Sequence, residues 1–135
     1  MKVINILNNK NNDLQIFNDD RGTIADIFYN TDISHVTLIS SVPNAIRGNH
    51  YHKETTQTML MIKGSLEYWY KPVNSNKPAK MYFCKVGDLI TTEPNEIHAL
   101  KITEEGNEFI VFTKGKRGGK DYESDTYRTK SIIEI

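Results

Sequence analysis

Residues 47–64 read Arg47-Gly48-Asn49-His50-Tyr51-His52-Lys53-Glu54-Thr55-Thr56-Gln57-Thr58-Met59-Leu60-Met61-Ile62-Lys63-Gly64. Nothing in this stretch repeats with the 3.6-residue period of a helix. It begins with two histidines two apart, passes into an apolar run, and ends on a Lys-Gly-Ser turn signal. In an extended chain, residues two apart project from one face about 6.5–7 Å apart, so His50 and His52 point together. Working outward, short runs rich in β-branched and aromatic residues recur at Lys2–Leu7, Leu14–Phe17, Thr23–Tyr29, His35–Ser41, Thr58–Lys63, Ser65–Lys71, Lys80–Lys85, Asp88–Thr92, Ile97–Thr103 and Asn107–Thr113. Turn signals separate them: Asp20-Arg21-Gly22, Pro43-Asn44, Lys63-Gly64-Ser65, Asn74-Ser75-Asn76, Val86-Gly87-Asp88 and Glu104-Glu105-Gly106-Asn107. About ten closely spaced strands without helices predict an all-β sandwich or barrel, with a jelly roll favoured because it manages free edges.

The chain has 135 residues, which predicts one domain covering 1–135. The one shift in composition falls at Lys114-Gly115-Lys116-Arg117-Gly118-Gly119-Lys120, read as a basic loop leading into a tail over 114–135. Hydrophobic residues make up 38% and charged ones 25%, so a packed core is within reach. Seventeen basic residues balance seventeen acidic ones, leaving no global field to draw in nucleic acid or an anionic membrane. The opening Met1–Asp13 is too short and polar for a signal-peptide core, and no apolar run approaches the roughly 20 residues of a membrane helix. With a single cysteine, Cys84, read as a buried strand thiol, the expected location is the cytoplasm.

Four histidines are present and three fall in two tight contexts. The first reads H-x-H-x4-Q-x6-G from His50 to Gly64, with Gln57 at the start of the next strand, where a hairpin return would set it beside the pair. In the second, Gly87-Asp88-Leu89-Ile90-Thr91-Thr92-Glu93-Pro94-Asn95-Glu96-Ile97-His98, a turn, a strand and a proline-led turn deliver a third histidine. His50, His52 and His98 offer three imidazoles, with Gln57 a weak fourth ligand, for one divalent transition metal such as Zn, Fe, Mn or Ni. Equally, they form a base cluster needing no cofactor. His35, alone in its strand, reads as structural, and Tyr68, Trp69 and Tyr70 read as core and rim packing.

These two stretches resemble the motifs of the cupin superfamily, G-x5-H-x-H-x3,4-E-x6-G (here about 48–64) and G-x5-P-x-G-x2-H (here about 87–98). The resemblance spans roughly Asp20 to Thr113, with a variable loop around Val73–Pro78. Gln57 stands where the acidic ligand usually lies, and the second motif lacks the glycine after Pro94 and reaches its histidine one residue early. Arg47-Gly48-Asn49-His50-Tyr51-His52 is similar to signatures of capsular polysaccharide enzymes and of dTDP-4-keto-rhamnose 3,5-epimerases, and His52-Lys53 with Gln57 and Gly64 to that of 3,4-ketoisomerases. Asp20-Arg21-Gly22 and Asp125-Thr126-Tyr127 are shared with one or other group. Unlike the ketoisomerases, the strand before the first motif, His35–Ser40, carries no tyrosine.

The resemblance implies a jelly-roll cupin, expected as a homodimer, that epimerises or isomerises a nucleotide-linked 4-keto-6-deoxy sugar for surface polysaccharide. Such chemistry begins by removing a proton beside a ketone. A histidine suits the task, His50 first and His52 second. Arg47, Lys53 or a metal would stabilise the enolate. Tyr127 or Tyr122 would return the proton, since Tyr51 faces away from the histidines. Arg21, Arg47 and Arg117, with Gln57, would hold the substrate, the guanidiniums meeting its diphosphate. The competing expectation is a metal-dependent cupin, either a three-histidine dioxygenase or a small-molecule binding module.

Overall fold

A computed structural model describes residues 1–8, 14–115 and 123–134. Ten strands and no helix are found among them: β1 Lys2–Asn5, β2 Ile16–Asp19, β3 Gly22–Ala25, β4 His35–Ser41, β5 Ile46–Tyr51, β6 Thr56–Pro72, β7 Lys80–Cys84, β8 Asp88–Thr92, β9 Glu96–Lys114 and β10 Tyr127–Arg128. All pairings are antiparallel. The all-β expectation holds, with two revisions. The runs at 58–63 and 65–71 are one 17-residue strand, and those at 97–103 and 107–113 are one 19-residue strand. Lys63-Gly64-Ser65 and Glu104-Glu105-Gly106-Asn107 are therefore irregularities inside continuous strands rather than chain reversals.

The physical reason lies where β6 and β9 pair. Their register shifts between Met61 and Lys63 and again between Gly64 and Leu66, and Gly64 sits opposite Asn107. Gly64 adopts φ 76° and Gly106 φ 69°, the left-handed region open to glycine at little cost. A Cβ on Gly64 would lie 2.1 Å from the Gly106 carbonyl oxygen. Bulges bend and twist a strand, so the two long strands change direction together and each serves two faces.

On one side of this bend, strand order is β1, β8, the first half of β6, the second half of β9, and β4. On the other it is β7, the second half of β6, the first half of β9, β5 and β10. Side chains from both halves of both long strands meet in the core: Met59 and Met61 with Leu66 and Tyr68 from β6, Leu100 and Ile102 with Phe109 and Val111 from β9, joined by Ile90 and Cys84. Each buried aliphatic or aromatic side chain contributes roughly 1.5–3 kcal/mol. Burial also pushes the Cys84 thiol up to about 12, with the nearby Asp88 carboxylate adding to the shift. Such a thiol stays protonated, in keeping with a packing role. Outside the sheet, Phe28 meets Phe112 edge-on at 4.8 Å, and Ala25 and Ile27 pack over Leu60 and Leu89.

The hairpin β2–β3 forms a separate two-stranded sheet that turns at Asp20-Arg21, and Arg21 pairs there with Asp19 at 2.7 Å. Arg117, Tyr122 and most of the basic loop, 116–120, lie outside the described residues.

Gly64→Ala is expected to cost about 3 kcal/mol or more. A left-handed alanine alone costs roughly 1–2 kcal/mol, and the backbone contact adds to it. Chemical denaturation will show it, and an unchanged midpoint would mean that the bend tolerates a side chain.

Candidate functional site

Strand β5 carries the histidines on an irregular backbone. Gly48 pairs with Ala99 and His50 with His98, so two steps along β5 match one along β9, leaving Asn49 as the extra residue. Gly48 (φ 84°) and Asn49 (φ 57°) take the positive angles this bulge needs. A side chain on Gly48 would strike the His98 carbonyl at 2.7 Å, so glycine alone lets β5 approach β9 here. Asn49 then holds the tail. Its carbonyl accepts from the Thr129 N–H (2.8 Å), and its side-chain oxygen accepts from Ile132 N–H (2.9 Å).

The three imidazoles converge. Ring centroids lie 5.0 Å apart for His50 and His52, 4.7 Å for His50 and His98, and 5.3 Å for His52 and His98. All three residues are buried. The Nδ1 of His52 lies 2.8 Å from the Asp125 carbonyl and that of His98 lies 3.2 Å from the Glu96 carbonyl. A carbonyl only accepts, so in both rings Nδ1 carries the proton and donates it. When such a ring is neutral its lone pair lies on Nε2, the atom that takes a proton or a metal; on His52 that nitrogen faces the side-chain oxygen of Gln57, so a neutral His52 needs the amide turned to present its N–H. Gln57 meets His52 Nε2 at 3.2 Å. An amide offers both an acceptor and a donor, so Gln57 suits a neutral or a charged ring, whereas a carboxylate would favour only the charged one.

Asp125 fixes this arrangement from the tail. Its buried carboxylate accepts from the N–H groups of Lys53 (3.0 Å), Glu54 (2.9 Å) and Thr55 (2.9 Å), and from the Thr55 hydroxyl (2.9 Å). Burial alone would raise its pKa, yet these donors outweigh that and hold the carboxyl below its usual range. One residue thus pins the turn after His52 with its side chain and orients the His52 ring with its backbone.

Of the three, His50 and His98 open into a cavity of about 720 Å³ between the two faces, within the usual range of small-molecule sites. Its wall includes Arg47, His50, Gln57 and His98 as expected. It also includes four residues that the sequence reading assigned otherwise or missed: His35, Tyr68, Glu123 and Arg128. His35, read as structural, faces the cavity because β4 turns His35, Thr37 and Ile39 inward and leaves the apolar Val36 and Leu38 exposed, a choice of face that the apolar positions of the strand do not announce. Tyr68, read as core and rim packing, stacks nearly parallel to His98 at 6.4 Å, and its hydroxyl bonds to Thr92. Burial raises its pKa. Arg47 donates from Nε to the Ser41 hydroxyl (2.9 Å) and from Nη2 to the Ser40 carbonyl (3.0 Å), both neutral acceptors, so its charge remains available.

Four expected site residues stand apart from the cavity wall, the first being His52, which is buried beside His50 and His98. Arg21 is on the exposed β2–β3 hairpin. Tyr127 stacks on Tyr51 at 5.4 Å, and Lys53 places its ammonium 4.2 Å from the Tyr127 ring centre. The expected hairpin return between β5 and β6 is not formed, since β9 separates them. Gln57 instead reaches His52 from the first half of β6.

The three histidines place one ring nitrogen each within 4.8 Å of one another. Ligands around one ion at 2.0–2.1 Å lie somewhat closer, a difference that ring movements of about an ångström would close. Three imidazoles, two with their Nδ1 atoms held by carbonyls, therefore fit a divalent transition metal.

A two-faced antiparallel sheet opening on converging histidines is a cupin-like fold. Residues 17–127 match the family model described as the polysaccharide biosynthesis C-terminal domain, and the chain belongs to that family. It is 27% identical over 102 residues to the UDP-2-acetamido-2,6-beta-L-arabino-hexul-4-ose reductase of Pseudomonas aeruginosa, covering 73% of this chain but only 26% of that enzyme. Among solved structures, a 3,4-ketoisomerase from Helicobacter canadensis superposes with a TM-score of 0.74 at 19% identity, covering 95% of this chain and 90% of the other. A histidine-to-asparagine mutant of the 3,4-ketoisomerase QdtA of Thermoanaerobacterium thermosaccharolyticum, in complex with TDP-4-keto-6-deoxyglucose, gives 0.69 at 20% identity, covering 86% and 83%.

Asp125→Ala is expected to lower stability by roughly 2–4 kcal/mol, because it leaves buried N–H groups without their charged acceptor. Asp125→Asn, which keeps one acceptor oxygen, will recover part of the loss in the same denaturation experiment. Equal stability of all three proteins would deny the carboxylate its anchoring role.

Proposed function

We propose that the protein epimerises or 3,4-isomerises a nucleotide-linked 4-keto-6-deoxy sugar in surface polysaccharide synthesis. The reading includes a homodimer acting in the cytoplasm; no helix among the described residues is long and apolar enough to cross a membrane. The observation that carries it is the convergence of three buried imidazoles, two of which, His50 and His98, line a cavity that also holds guanidinium groups. Removing a proton beside a ketone needs a base of near-neutral pKa within hydrogen-bond reach, and the charge that develops needs fixed donors.

His50 acts as the base, with His52 beside it held in orientation by Asp125. Gln57 binds the substrate and tracks the protonation of His52. Arg47, its charge uncompensated, meets negative charge on the substrate. Of the tyrosines expected to return the proton, Tyr127 stacks on Tyr51 away from the cavity wall and Tyr122 lies outside the described residues.

The three-histidine geometry also supports a second reading, a metal-dependent cupin with His50, His52 and His98 as ligands and Gln57 as a weak fourth. Bound there, a divalent metal would polarise a substrate oxygen. Metal analysis of protein purified without an affinity tag decides between the two. Stoichiometric iron coupled to oxygen uptake favours the oxygenase, and metal-free protein that is fully active favours the histidine base.

Incubated in deuterium oxide with dTDP- or UDP-linked 4-keto-6-deoxyhexoses, the protein is expected to exchange hydrogen at the carbon next to the ketone. His50→Asn should abolish that exchange while the fold persists, because an amide is no base near neutral pH. Absence of exchange and binding across the panel overturns the sugar assignment. A folded His50→Asn protein with wild-type exchange removes His50 from the mechanism.

A further inference from the structure

The tail strand β10 adds a residue to the row that carries the histidines. Across the sheet, Tyr70 on β6 pairs with His98 on β9, His98 pairs with His50 on β5, and His50 pairs with Arg128 on β10. Directly opposed residues in a sheet project to the same side, with neighbouring strands about 4.7–4.9 Å apart. The next pair, Tyr127 and Tyr51, points the other way, where the two rings stack. Arg128 therefore shares the cavity face with His50 and His98, and it lines the cavity together with Arg47.

Among the described residues its charge is held by one partner, Glu123, which also lines the cavity. Arg128 Nη2 donates to both carboxylate oxygens of Glu123, at 2.5 and 2.7 Å. Both side chains are well exposed, 63% for Arg128 and 39% for Glu123, which places the pair at the solvent side of the cavity. Exposed pairs of this kind contribute little, so an incoming anion of higher charge can displace the carboxylate at small cost. The segment itself is well fixed: Asp125 locks one end to the Lys53–Thr55 turn and Thr129 locks the other to Asn49. A guanidinium on an anchored strand, with an easily exchanged partner, is built to accept an oxyanion in place of that partner.

We infer that Arg128, with Arg47, grips the diphosphate of the substrate, and that Glu123 occupies the guanidinium until the diphosphate replaces it. This rests on the nucleotide-sugar reading above and adds to it a residue that sequence spacing did not single out. Arg128 contributes to binding, while the proton transfer stays with the histidines. Loss of Arg128 therefore weakens binding with little effect on kcat. Removing the competing carboxylate has the opposite sign.

Calorimetric titration with dTDP and UDP alone, without any sugar, tests it. Wild-type protein binds at least one of them. Arg128→Gln weakens that binding about tenfold or more, as expected for the loss of a charge-assisted contact. Glu123→Gln tightens it about two- to fivefold, the size of an exposed ion pair given up. A gain in affinity cannot come from misfolding, so the second variant guards the first. If wild-type protein binds neither nucleotide, the nucleotide-sugar reading itself fails. If it binds and the two variants match it, Arg128 and Glu123 have no such role. If Arg128→Gln lowers kcat while leaving nucleotide affinity unchanged, the guanidinium serves the reacting sugar, and the diphosphate assignment is overturned.

Discussion

Two glycines meeting without side chains set the geometry on which the rest of this structure depends. At Gly64 and Gly106 the backbones of β6 and β9 come so close that a single Cβ would collide with a carbonyl. Because both residues accept positive φ, two strands of 17 and 19 residues bend in concert and remain paired on either side. The first half of each then belongs to a different face from the second, and the core forms between halves of the same two strands. The cavity is a further consequence: its wall takes Gln57, Met59 and Tyr68 from β6, and His98, Leu100, Phe109, Val111 and Thr113 from β9.

The site also depends on a second, smaller irregularity. The bulge at Gly48 and Asn49 adds a residue to β5 and brings His50 opposite His98. The same Asn49, freed from regular pairing with β9, receives the tail through its carbonyl and side-chain oxygens. Aiming the histidines and docking the tail are thus one local event. Asp125 completes it by giving its carboxylate to the turn and its carbonyl to His52. A short terminal segment with only a two-residue strand thereby becomes part of the wall, and Glu123 and Arg128 arrive with it.

Charge in the cavity is divided by depth. The inner part holds groups without permanent charge, namely the imidazoles of His50 and His98 with His52 behind them, the half-buried amide of Gln57, and a phenol whose proton burial retains. Permanent charge sits further out, on Arg47 with neutral acceptors and on Arg128 with a carboxylate. Burying an unpaired charge is costly, whereas proton transfer gains from a dry surrounding, so this division suits a polar ligand that brings its anionic part to the mouth.

The sequence alone determined the strand-rich architecture and the shared face of His50 and His52, because both follow from short-range rules, whereas their meeting with His98 needs the pairing of β5 with β9. Alternation has a period of two residues, a histidine pair two apart shares a face, and glycine and proline mark where the backbone departs from a regular strand. Those rules do not say whether a glycine reverses the chain or only bends it. Gly64 and Gly106 each read as a turn, and only the partner strand running past both positions keeps them within a ladder. Nor do they place a tail. Arg128 and Glu123 lie in a polar stretch with no local pattern, and Lys53 and Tyr127 looked equally suited to the site. Tertiary structure decided among them, since which face Arg128 or Tyr127 presents follows from the register of β10 against β5, and that register is set by contacts about 75 residues apart in the chain.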